Sequence, residues 1–157
     1  MKLSQDIAFQ KLRRYCNYQD RCHQEVRYKL LSLKVYGDDL EEIITELIQA
    51  DLLNEERYAR SYCRGKFRLK KWGRNKIKQN LMQRHISAYC IRKGMEEIDP
   101  DEYMMTLRQL YSQALHKYGE LAEIVKKDKA IRYASARGYE APLIFEVVKE
   151  VEENGHS

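Results

Sequence analysis

Trp72-Gly73-Arg74-Asn75-Lys76-Ile77-Lys78-Gln79-Asn80-Leu81-Met82-Gln83-Arg84-His85-Ile86 is the stretch that decides the fold. Its apolar skeleton is Ile77-x3-Leu81-x3-His85-Ile86. Residues four apart lie on one face of a helix, so the segment predicts a helix, a turn and an apolar residue anchoring the corner. The same skeleton stands 51 residues earlier as Val26-x3-Leu30-x3-Lys34-Val35 and 53 residues later as Ala130-x3-Ala134-x3-Gly138-Tyr139. After each corner residue an apolar series follows at five, nine and twelve residues: Leu40, Ile44, Leu47; Ile91, Met95, Ile98; Ile144, Val148, Val151. Another amphipathic helix is predicted before each pair, at roughly Ser4–Tyr18, Glu55–Lys71 and Pro100–Tyr118. Pro100 and Pro142 sit at helix openings, where a missing N–H costs nothing. The expectation is an all-α chain of three tandem three-helix repeats, 1–53, 54–99 and 100–157. Each is too small to bury a full core alone, so the repeats stack into an elongated, curved array.

Composition agrees. Average usage would give about 19 Gly and Pro together in a chain of this length; here there are seven Gly and two Pro in 157 residues. Sharp turns need those residues, which argues against turn-rich β architectures. Charged residues make up 34% and apolar ones 43%, a balance that suits helices with one wet face. No apolar run approaches the ~18 residues that span a bilayer. The opening Met1-Lys2-Leu3-Ser4-Gln5-Asp6 meets an acid before any apolar stretch, so no secretory signal is expected. Cys16, Cys22, Cys63 and Cys90 form no C-x-x-C pair, and His23, His85, His116 and His156 are scattered. Zinc sites are announced by close ligand spacing, so no metal is expected, and the cysteines are read as buried thiols in the cytoplasm. No phosphate loop, nucleophile elbow or paired-histidine motif is present. The sequence supports neither a catalytic residue nor a cofactor.

Charge is distributed in blocks. Val35 to Glu56 holds eight acids and no Lys or Arg, whereas Arg57 to Lys93 holds thirteen bases and no acid. The net +5 therefore combines +13 in one segment with −8 in the remainder. Such a block meets polyanions or acidic protein surfaces. Asn54 is the expected N-cap of the helix that enters it, with Glu55 and Glu56 favoured by the helix dipole. On that helix Tyr58, Ala59, Tyr62, Cys63 and Leu69 are assigned to the apolar side, and Arg57, Arg60, Arg64, Arg68 and Lys71 to the opposite side. Lys66 and Lys70 fall nearer the apolar side and must reach outward. Gly73 is expected as the left-handed helix cap, Trp72 as a packing anchor and Tyr58 and Tyr62 as core. The candidate contact face is Arg57, Arg60, Arg64, Arg68, Lys70, Lys71, Arg74, Lys76 and Lys78.

These motifs resemble the RecX family, whose members regulate the bacterial recombinase RecA. The stretch from Ala50 through Asn54-Glu55-Glu56-Arg57-Tyr58-Ala59 to Tyr62 is similar to that family's entry into its second repeat. Gly73-Arg74-x-x-Ile77-x-x-x-Leu81 is similar to its G-R-x-x-I-x-x-x-L element. Glu25-Val26-x-x-Lys29-Leu30 matches the first repeat, and Arg137-Gly138-Tyr139 the third. Lys34-Val35 and His85-Ile86 depart from the pattern by lacking a Gly before the apolar residue. The resemblance implies a non-enzymatic modulator, mainly an inhibitor, of RecA. It would bind in the helical groove of the RecA filament on single-stranded DNA, restraining ATP hydrolysis, strand exchange and co-protease activity. A modulator that works along a filament has no need to self-associate, so a monomer is expected, with weak binding to bare DNA as a further expectation. The charge block alone also fits a stand-alone nucleic-acid-binding helical protein acting through its basic central repeat, or a scaffold for some other acidic protein.

Overall fold

The computed structural model describes residues 4–155; Met1–Leu3, weighed above as part of a leader, and His156 lie outside the described residues. Among the described residues there are nine α-helices and no strand. They are α1 Gln5–Tyr18, α2 His23–Ser32, α3 Gly37–Gln49, α4 Glu55–Lys70, α5 Arg74–Gln83, α6 Ala88–Met95, α7 Pro100–Lys117, α8 Glu123–Ala136 and α9 Ala141–Asn154. The fold is an all-α helical repeat. None of these helices is long and apolar enough to cross a membrane.

Local chemistry repeats with the helices. The helices α1, α4 and α7 each open on a polar side chain that accepts from a first-turn N–H. Ser4 Oγ takes Ile7 N at 3.3 Å, Asn54 Oδ1 takes Arg57 N at 2.9 Å, and Asp99 Oδ2 takes Glu102 N at 2.9 Å. Such caps satisfy donors that the helix itself leaves orphaned. The helices α2, α5 and α8 all end in one way. The residue before the corner is left-handed, with φ of 62° at Lys34, 59° at His85 and 102° at Gly138. The next residue's N–H then reaches back five positions, Val35 to Leu30, Ile86 to Leu81 and Tyr139 to Ala134, at 3.0–3.2 Å. This is the Schellman pattern. It drives Val35, Ile86 and Tyr139 into the interior, each at most 6% exposed. Lys34 and His85 thus adopt the left-handed cap without glycine.

Two compact units form. One comprises the described residues of Met1–Tyr62 with Leu81–Gly94, the other Cys63–Asn80 with the described residues of Met95–Ser157. The division passes through α4 and α5 and the last residue of α6, whereas the repeat limits at 53/54 and 99/100 mark a sequence period, a different kind of boundary. The first unit's core holds Leu12, Val26, Leu30, Ile43 and Leu47, all fully or almost fully buried. The second buries Phe67, Ile77, Tyr103, Leu107, Tyr111, Tyr139 and Ile144.

Two expectations about α4 and its corner are corrected. Leu69 is 82% exposed, while Phe67, not assigned to the apolar side above, is 4% exposed. The buried face drifts round the helix from Tyr58 and Ala59 near its start to Cys63 and Phe67 further on, and Leu69 is left on the old stripe. Gly73 is not the left-handed residue; Lys71 is, at φ 59°. Gly73 is needed for close approach, because a Cβ there would lie 2.3 Å from the Gly138 carbonyl carbon and 2.4 Å from Tyr139 N.

Candidate functional site

The basic block has no acid of its own, so acids from elsewhere in the chain come to it. Arg57 donates from Nε to Asp20 Oδ1 at 2.8 Å and lies 3.3 Å from Asp51 Oδ1. The bond to Asp20 is the main cause that raises its pKa above the ordinary arginine value. Arg60 pairs with Glu56 one turn earlier at 3.2 Å, and Arg64 with Glu97 at 3.2 Å. Arg74 pairs with Glu140 at 3.0 Å while its guanidinium covers the Tyr103 ring at 3.9 Å. These four arginines are half-buried, and each is committed to a carboxylate inside the fold.

The other five candidates differ. Arg68, Lys70, Lys71 and Lys78 are exposed and make no ion pair among the described residues. Three of them crowd the carboxyl end of α4, where the helix dipole favours cations. Lys76 is half-buried, its ammonium 4.5 Å from the centroid of the Trp72 ring, and Lys66 approaches the same ring at 4.8 Å. Trp72 is itself half-buried rather than sunk in the core. Of the expected face, Arg57 and Arg60 belong to the first compact unit and the remaining seven to the second.

The corner between α4 and α5 is held from a distance in sequence. The first N–H groups of α5 find acceptors far along the chain. Gly73 N donates to the Arg137 carbonyl at 2.8 Å, Arg74 N to the Tyr103 hydroxyl oxygen at 2.9 Å, and Asn75 N to the Gly138 carbonyl at 2.9 Å. Tyr139 donates its hydroxyl to the Lys71 carbonyl at 3.0 Å, and Tyr103 donates its own to Glu140. The Tyr103 and Tyr139 rings stack with centroids 4.9 Å apart. Burial, reinforced by the Glu140 carboxylate, pushes the Tyr103 phenol well above its ordinary pKa. Spacing could not have revealed this lattice, although Arg137-Gly138-Tyr139 stood out as a motif.

Burial also governs the thiols. Cys16, Cys22, Cys63 and Cys90 are free and buried, and burial raises all four, Cys63 to about 12. No group of three or more potential metal ligands occurs among the described residues.

With this geometry in view, comparison with known proteins is specific. A family model described as "RecX, second three-helix domain" matches residues 54–95. A crystal structure of RecX from Lactobacillus salivarius superposes with a TM-score of 0.85 at 25% identity, covering 94% of this chain and 96% of that one. In sequence and in fold the chain is similar to RecX proteins. Among curated relatives, the regulatory protein RecX of Lactobacillus gasseri is 26% identical over 136 residues, covering 87% of this chain and 50% of the relative. That of Clostridium botulinum is 29% identical over 133 residues, 83% of this chain and 61% of the relative. The chain therefore spans about half the length of several of the curated RecX proteins it matches. A second solved RecX structure, at 21% identity and a TM-score of 0.84, shares the fold. The match at 54–95 covers α4, α5 and α6, the part of this chain that carries the basic block.

Proposed function

We propose that this protein is a non-enzymatic modulator, mainly an inhibitor, of RecA. In this reading it binds as a monomer in the helical groove of the RecA filament on single-stranded DNA and restrains ATP hydrolysis, strand exchange and co-protease activity. The observation that carries the proposal is the set of uncompensated cations at the α4–α5 corner, Arg68, Lys70, Lys71 and Lys78, standing in a chain similar to regulatory RecX proteins. Three helical repeats offer separate modules for successive subunits of a filament. Their cations would face acidic subunit surfaces or the phosphates of the bound strand. Arg57, Arg60, Arg64 and Arg74 hold the module in shape through their carboxylates and contribute less free charge.

The test is the rate of ATP hydrolysis by RecA filaments on single-stranded DNA. Stoichiometric wild-type protein should slow it; no effect would defeat the reading. A variant reversed to Glu at Arg68, Lys70, Lys71 and Lys78 should lose most of the inhibition. A control reversed at the exposed Lys11, Arg13, Arg14 and Lys149 should keep it. Equal loss in both variants would mean that net charge, and not this corner, is responsible.

A further inference from the structure

Trp72 and its surroundings form a more particular surface than a basic patch. The half-buried indole has two ammoniums within 5 Å of its ring centroid, Lys66 at 4.8 Å and Lys76 at 4.5 Å. The backbone of Arg137 is pinned beside it by the hydrogen bond from Gly73 N, at 2.8 Å. The Arg137 guanidinium lies 5.4 Å over the ring of Tyr133, which is 38% exposed. Its Nε is buried and finds no hydrogen-bond acceptor among the described residues. A buried donor left unmatched is costly, and a guanidinium's preferred complement is a bidentate anion such as phosphate. Glu140, beside Tyr139, is committed to Arg74 and Tyr103. Two aromatic rings and three cations thus belong to a single compact unit, their two groups tied by the Gly73–Arg137 backbone hydrogen bond.

We propose that this corner is a composite seat for single-stranded nucleic acid. The Trp72 indole offers a face to an unpaired base, Lys66 and Lys76 turn from the ring to the flanking phosphates, and Arg137, beside Tyr133, grips a further phosphate. A flat ring flanked by cations fits a strand that carries both π-faces and phosphates; an acidic peptide would use the cations alone. Duplex DNA hides its base faces by stacking, so the seat favours single strands. Arg137 lies 44 residues beyond the last base of the charge block, so the seat draws on the third repeat as well as the second.

The site reports on itself, because Trp72 is the chain's single tryptophan. The full chain, without RecA, is titrated with oligothymidylate under selective indole excitation, with anisotropy of a labelled strand read in parallel. Saturable quenching that tracks the anisotropy is expected, with a duplex of equal length binding about tenfold more weakly. Trp72→Ala should weaken the single strand about tenfold. Arg137→Gln should weaken it several-fold and flatten the salt dependence by about 0.7 in log–log slope, the loss of one phosphate contact. Arg137→Lys should restore part of the affinity, and circular dichroism should show all variants folded. Binding with an unchanged indole signal would overturn the seat. Equal quenching by polyglutamate would also overturn it, in favour of an acidic protein partner. Unaltered affinity and slope in Arg137→Gln would remove the third repeat from it. Inhibition of RecA by a protein whose Trp72 stays silent would defeat this inference and leave the regulatory reading standing.

Discussion

Lys34, His85 and Gly138 occupy one position in three successive repeats, and all three are left-handed. An L side chain there costs about 1–2 kcal/mol relative to its right-handed form. Lys34→Gly should therefore stabilise the protein by up to about 1 kcal/mol, part of the gain being lost to the freer unfolded chain; urea denaturation would measure it. Gly138→Ala should do the opposite and more severely. Its added Cβ would meet Lys76 Cβ at 2.4 Å and Lys76 N at 2.6 Å, at a φ of 102°. A loss of about 3 kcal/mol or more is expected, seen as a lower urea midpoint. The skeleton x3-Lys34-Val35, x3-His85-Ile86 and x3-Gly138-Tyr139 makes this position legible in the sequence. The role of Gly73 was not legible, since the atoms that exclude a Cβ there come from residues 138 and 139, and proximity in space has no signature in local sequence.

At the scale of the helix, α5 is instructive because its amino end is satisfied by other segments. Tyr103→Phe removes one acceptor from Arg74 N and one donor to Glu140. It should cost about 1–3 kcal/mol, again measurable by urea, with little change in helical content. The helix α4 shows the limit of periodicity as a guide. Ideal 100° spacing put Leu69 on the apolar stripe, yet it is solvated, because the two ends of α4 serve different compact units and the stripe is not one line. The Cys63 thiol on that helix is shielded accordingly. Alkylating reagents at mildly alkaline pH should leave the native chain's four thiols almost unmodified and label all of them once urea unfolds it; fast native labelling would contradict the burial described.

For the whole molecule, two sums over residues set the response to pH and salt. Cys63 titrates near 9.0 when unfolded and at about 12 in the fold. A group whose proton is held more tightly in the native state stabilises fully below its unfolded pKa. That contribution fades as pH rises from 9 toward 12, and burial raises Tyr58, Tyr103 and Tyr139 in the same direction. Unfolding monitored from pH 8 upward should therefore show stability falling steadily above pH 9, with no counterpart change between pH 6 and 8 from these groups. The charge block was evident in sequence as a run without acids, but the number of cations left for a partner was not. Asp20, Asp51, Glu97 and Glu140 lie outside the run and become visible as its counter-ions only in the folded chain.

The meeting of Gly73 with Gly138 has a consequence for anyone who would transplant or shorten this protein. The charges of residues 57–93 are portable, since they travel with their own stretch of sequence. The shape that presents them is not, because the donors of α5 are answered by Tyr103, Arg137 and Gly138. A graft of the central repeat alone would carry the cations into a new host and leave behind the surface that aims them.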